Sequence, residues 1–240
     1  MSKSTCFCGS TIGKKVQMAV TGLLLIGFLT GHLLGNLLLF ANDNGAAFND
    51  YAHALTSNPL IYIAELGLLL LFLVHMVSAI KLTALSKTAR GSQYENQGSH
   101  GNKTFASRTM LQTGILIFLF LILHLVTFKW GPMHYVGVDS ADEAAVAQAI
   151  ADGTVRDLYK TVVEWFGVWW YSLFYVITML LMGLHLSHGF KSAFQTLGLR
   201  HKKYTPKIEK LSALIGWGYG VAFSVFPIYF LIKACANCAK

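Results

Sequence analysis

Charge is what this 240-residue chain has least of. Only 12% of its residues are Asp, Glu, Lys or Arg, about half of the roughly 25% carried by soluble domains. Together with 54% hydrophobic residues gathered in long runs, that scarcity excludes an ordinary water-soluble globule. Acidic residues are the rarer sign, 11 against 19 Lys and Arg, leaving a formal net charge of +8. An excess of that kind could suit nucleic acid, but the basic residues fall between apolar runs, where membrane topology accounts for them. Cysteine is confined to Cys6 and Cys8 near the start and Cys235 and Cys238 near the end. The topology below puts these pairs on opposite sides of a membrane, so a four-cysteine centre within one chain is not expected. No small-x-small cleavage site follows the first apolar run, which exceeds the 7–15 residues of a signal-peptide core, so it reads as a retained helix. There is no long soluble segment, and no internal repeat is apparent.

Five segments can each cross a bilayer, a task needing about 20 predominantly apolar residues. They cover approximately 16–40, 60–80, 110–128, 167–190 and 211–232, and Pro227 is expected to kink or fray the last. The basic residues orient them. Lys3, Lys14 and Lys15 precede the first span, and Lys81, Lys87, Arg90, Lys103 and Arg108 lie between the second and third. Lys191, Arg200, Lys202, Lys203, Lys207 and Lys210 lie between the fourth and fifth, so fourteen of the nineteen basic residues share one side. The positive-inside bias makes that side cytoplasmic. The expected fold is an all-α integral membrane bundle of five transmembrane helices, one domain over 1–240, with the N-terminus cytoplasmic and the C-terminus outside. The long outer connection is acidic. Ser140 and Glu143 form a capping-box pattern ahead of Ala-rich sequence and Gly153 can stop it, which predicts a short surface helix. Trp130, Trp165, Trp169 and Trp170 fit an outer aromatic belt.

Ionisable groups inside a membrane are costly and usually functional. His32, His75, His124, His185 and His188 all lie in apolar spans, at least one on each of the first four. His32 follows Lys15 by 17 residues and His124 follows Arg108 by 16. His75 precedes Lys81 by 6, as His185 precedes Lys191. At about 1.5 Å per residue, His32 and His124 share an outer level, with His75 and His185 roughly 16 Å lower. Haem iron takes two axial ligands on opposite faces of a flat ring, so two facing pairs suit two bis-histidine haems. Zinc favours four ligands around one point, and no Cys, Asp or Glu joins these histidines in mid-membrane. Gly27, Gly31 and Gly35 make a small-residue stripe beside His32 that admits a porphyrin or another helix.

These residues carry a resemblance covering nearly the whole chain. Gly31-His32-Leu33-Leu34-Gly35-Asn36, Leu73-Val74-His75, Leu123-His124-Leu125 and Leu184-His185-Leu186-Ser187-His188-Gly189-Phe190 resemble the single-chain, five-helix dihaem cytochrome b subunits of succinate dehydrogenases and fumarate reductases. The resemblance implies two haem b groups, one held by His32 and His124 and one by His75 and His185. It also implies a bacterial cytoplasmic-membrane location, membrane quinone (menaquinone or ubiquinone) as substrate, and two soluble partners: an FAD flavoprotein and an iron–sulfur subunit. His188 shares a helix face with His185 and competes with it as ligand; the family's histidine-to-glycine spacing favours His185. Lys129, Lys191, Arg108 and His188 are candidate partners of haem propionates. Glu65 and Glu164 are candidate quinone residues, suited to exchanging protons. His53 and His134 read as surface residues. Some fumarate-reducing members carry a proton-transferring glutamate two residues before the fourth ligand; here Gly183 stands there. Rival readings are the cytochrome b anchor of a hydrogenase or formate dehydrogenase, and a haem-free transporter.

Overall fold

Long apolar runs have one economical way to satisfy their backbone where water is absent, and that is the α-helix. The computed structural model, which describes residues 10–88, 105–139 and 142–238, is 83% helical and has no strand among them. We number its helices α1 (Thr11–Asn36, prolonged by the 3-10 turn Leu37–Phe40), α2 (Ala46–Thr56), α3 (Leu60–Thr88), α4 (Met110–His124, prolonged by the π-helical Leu125–Lys129), α5 (Glu143–Ala151), α6 (Leu158–Gly167), α7 (Trp169–Thr196) and α8 (Thr205–Cys238). A single turn, Phe105–Arg108, precedes α4.

Five helical stretches are long and apolar enough to cross a membrane: Thr11–Phe40, Leu60–Ser86, Met110–Lys129, Trp169–Thr196 and Thr205–Cys238. This is the architecture of a multi-pass membrane protein. Leu60, Ile63, Leu66, Leu214 and Ile232 are all more than half exposed, as lipid-facing side chains are. Helix α8 runs on past Pro227 to Cys238 instead of fraying. Proline removes one ladder bond, and a helix inside a membrane keeps the rest because no solvent competes for them.

Contacts gather the chain into two compact units. The first comprises the described parts of Met1–Phe28, Leu66–Leu116 and Leu180–Val221; the second, those of Leu29–Glu65, Ile117–Met179 and Ala222–Lys240. In the first unit α7 meets α8 through glycine: a Cβ on Gly183 would lie 2.7 Å from the Gly216 carbonyl oxygen. The Ser212 hydroxyl donates to the Ser187 carbonyl along the same contact.

In the second unit the connections fold onto the helices. Asp43 accepts from the backbone of Gly45 (3.0 Å) and Ala47 (2.9 Å), starting α2. Gly45 has φ +87° and lies against the Tyr159 ring, so both conformation and space require glycine. Asn49 ties α2 to α6, donating to Asp157 (2.9 Å) and accepting from the Tyr159 backbone (2.9 Å). The acidic connection holds the expected short helix as α5, stopped near Gly153 at φ +67°. Its cap differs from expectation: the Asp142 carboxylate accepts from Ala144 and Ala145 at 3.0 and 3.1 Å. Asp142 immediately precedes the helix and can reach both free amides. Ser140 of the expected capping box lies outside the described residues, as do Cys6, Cys8, Arg90 and Lys103. Cys235 and Cys238 are exposed and free.

Candidate functional site

In the first unit His75 of α3 faces His185 of α7, with ring centroids 6.5 Å apart and planes inclined at 64°. Each ring is steered from behind by another helix. The His75 Nδ1 lies 3.2 Å from both the Met18 carbonyl and the Thr21 hydroxyl of α1. A carbonyl can only accept, so Nδ1 carries the proton and Nε2 is left as the bare nitrogen. The His185 Nδ1 lies 3.2 Å from the Thr113 hydroxyl of α4. His188 does not share this pairing. Its Nδ1 is buried without a hydrogen-bond partner, and its side chain lines a separate open cleft of about 250 Å³ with Lys191, Arg200 and Glu209. Arg108 is exposed and is not among that cleft's lining residues.

In the second unit His32 of α1 faces His124 of α4, centroids 5.8 Å apart and planes at 82°. The His124 Nδ1 is 2.6 Å from the hydroxyl of Tyr175 on α7. Aromatic rings enclose the pair: Phe223 stacks on His32 at 6.0 Å, and Phe120 and Phe128 lie 5.8 and 5.3 Å from His124. Helix α4 widens into π-helical geometry immediately after His124, a feature frequent at functional sites.

Do these pairs fit a bound metal? Metal–imidazole bonds are about 2 Å long and the ring adds about 1 Å, so two imidazoles on opposite sides of one ion have centroids roughly 6 Å apart. Both pairs meet that spacing. Ligating histidines also hold their second ring nitrogen in a hydrogen bond to a carbonyl or similar partner, which fixes tautomer and orientation; His75, His124 and His185 each do so. No cluster of three or more His, Cys, Asp or Glu suited to an ion is found among the described residues. Two imidazoles at that spacing suit the pair of ligands that haem iron takes.

The glycine stripe divides. A Cβ on Gly27 or Gly31 would meet nothing within 4 Å, whereas one on Gly35 would be 2.6 Å from Tyr51. Gly27 and Gly31 thus leave room beside the helix, and Gly35 serves packing. Gly183, where the related glutamate would stand, has its Cβ direction filled by Gly216 backbone. No longer side chain fits there.

Both candidate carboxylates lie in the second unit and are ion-paired. Glu65 pairs with Lys129, whose own carbonyl accepts from Arg156 at 3.1 Å. Lys129 is therefore engaged by a carboxylate of its own chain. Glu164 lies 2.8 Å from the Nε2 of His134. His134, expected at the surface, is only 7% exposed. A bridge between Tyr135 and Arg156 and the bond from the Asp157 amide to the His134 carbonyl fold its loop against the start of α6. His53 is exposed, as expected. Arg156 is half-buried, and burial pulls its guanidinium below the ordinary arginine pKa.

Three residues at the pairs escaped the sequence reading: Thr21, Thr113 and Tyr175. A signal for the first two existed. Met18-x-x-Thr21-Gly22 stands ten residues before His32 counted from its glycine, and Met110-x-x-Thr113-Gly114 stands ten before His124. No family model matches the chain, and neither does any curated protein or solved structure in the comparisons made.

Proposed function

We propose that this chain is the dihaem cytochrome b subunit of a succinate:quinone oxidoreductase, a succinate dehydrogenase or fumarate reductase of a bacterial cytoplasmic membrane. The observation that carries the haem reading is the two facing imidazole pairs, at 5.8 and 6.5 Å, with His75, His185 and His124 each held at Nδ1. The positive-inside bias supports a cytoplasmic N-terminus and an outer C-terminus.

When bound, haem b supplies reversible one-electron transfer at iron. The chain's own residues do the rest. His32 with His124 would hold one haem and His75 with His185 the other, and the phenylalanines around His32 and His124 would exclude water. His188, with a buried and unpartnered Nδ1, and Lys191 offer donors to a propionate. Glu65 and Glu164 offer proton exchange to a quinone. The chain anchors a flavoprotein and an iron–sulfur subunit, to which its basic cytoplasmic segments present positive charge. The succinate assignment rests on the resemblance of the histidine motifs alone.

The purified complex is expected to show a reduced b-type spectrum with two haems per chain. H75A or H185A removes one of them and H32A or H124A the other. A fully active haem-free preparation overturns the cytochrome reading. Co-purification with a hydrogenase or formate dehydrogenase instead of a flavoprotein overturns the succinate assignment and leaves the haems standing.

A further inference from the structure

The pair His75–His185 is held by two copies of one device. On α1, Met18 and Thr21 present a backbone carbonyl and a hydroxyl to the Nδ1 of His75, and Gly22 lets the ring approach: a Cβ there would be 3.1 Å from the His75 Cε1. On α4, Thr113 presents its hydroxyl to the Nδ1 of His185 at 3.2 Å, and a Cβ on Gly114 would be 3.5 Å from the His185 Cε1. Each threonine hydroxyl donates to the carbonyl four residues back, Thr21 to Gln17 at 2.7 Å and Thr113 to Thr109 at 2.9 Å. With its proton directed there, each hydroxyl turns a lone pair to the imidazole N–H. The device is therefore an acceptor, twice over. In the other pair, His124 meets the hydroxyl of Tyr175 instead.

We infer that Thr21 and Thr113 are matched positioning residues that set the redox balance of the cofactor between His75 and His185, and of that one alone. The inference rests on the haem reading. An acceptor at Nδ1–H makes the imidazole a stronger donor at Nε2, which favours the ferric state. Two acceptors on opposite ligands of one iron act in the same direction. Removing either hydroxyl favours the ferrous state and raises the midpoint.

The test is a redox titration of the intact complex in lipid, with haem content measured in parallel, for T21V, T113V, the double variant, T21S, T113S and Y175F. Each valine variant is expected to retain two haems and to shift the ferric-to-ferrous ratio of one haem about fivefold toward ferrous, about +40 mV for one electron. T21V and T113V move the same haem, and the double variant moves it further. The serine variants restore the wild-type midpoint, and Y175F moves only the other haem. If a valine variant loses haem, recovery of both haem and midpoint in the matching serine variant supports the role of the hydroxyl; loss in the serine variant too overturns it. Unmoved midpoints, or T21V and T113V acting on different haems, overturn the inference alone. A wild-type complex without haem overturns the proposed function and this inference with it.

Discussion

Alanine at position 183 should loosen the first unit and disturb the pair His75–His185. The added Cβ would lie 2.7 Å from the Gly216 carbonyl oxygen, against 3.4 Å for the lower edge of ordinary contact. The two backbones would have to part by about 0.7 Å, because what stands in the way is main chain and not the tip of a mobile side chain. Glycine contacts of this kind let membrane helices gain van der Waals packing that nothing else replaces. Separating them also strains the Ser212–Ser187 bond on the same contact. Overpacking typically costs about 1–3 kcal/mol, and that is the expected loss for G183A in an unfolding titration in mixed micelles. Gly218, on the same helix as Gly216, has nothing within 4 Å of its Cβ position, so G218A should stay within about 0.5 kcal/mol of wild type. Two residues on from Gly183 is His185, so G183A should also broaden or shift the spectrum of the haem proposed there while G218A leaves it alone. A G183A protein as stable as wild type would refute the close contact and the argument that no glutamate fits there.

Three further outcomes follow from named contacts. H188A should lower retention of the haem proposed between His75 and His185 upon dilution into detergent, read as haem per chain, without abolishing it as H185A does. D157A should destabilise the second unit by about 1–2 kcal/mol in thermal unfolding, since Asp157 caps α6 at the Lys160 amide and also accepts from Asn49. G45A should cost more than a typical surface change, read the same way, because φ is +87° and the Tyr159 ring fills the site.

How far was this molecule legible in its sequence? The spans were, because long apolar runs have little choice of conformation in a membrane. Their ends were not. Helix α3 continues through Lys81 to Thr88 and α7 through Lys191 to Thr196. Hydropathy falls where charge begins, yet the backbone ladder continues beyond it, so an apolar window underestimates the helix. The histidines that face each other, His32 with His124 and His75 with His185, are those with like residue counts from flanking basic groups. The partners at Nδ1 were not legible. A threonine in an apolar run usually bonds its own preceding turn, and Thr21 and Thr113 do so too; the second use of the same hydroxyl has no signature in one dimension. His134 was misjudged for a related reason. A histidine in a connection reads as solvated until the fold brings a glutamate to it and closes the loop over it.

That misjudged histidine sharpens the choice between the two candidate quinone residues. Glu65 pairs with a lysine, whose ammonium donates but has no accepting nitrogen, so the pair is an electrostatic tie and not a relay. Glu164 pairs with an imidazole, whose two ring nitrogens let it accept a proton on one side and donate one from the other. The carboxylate is 49% exposed at its side chain while the imidazole is 9% exposed, so one member reaches solvent and the other lies inside. A carboxylate and a histidine 2.8 Å apart can pass a proton from inside to outside; a carboxylate and an ammonium cannot do so without breaking their attraction. E164Q and H134A should therefore each slow quinol-coupled turnover by roughly 10²-fold or more, the usual contribution of a positioned proton-transfer group, with haem content unchanged. E65Q should slow it far less and chiefly lower stability. Equal loss in E65Q and E164Q, or full turnover in H134A, would refute the relay and leave the quinone contact to be sought elsewhere in the chain.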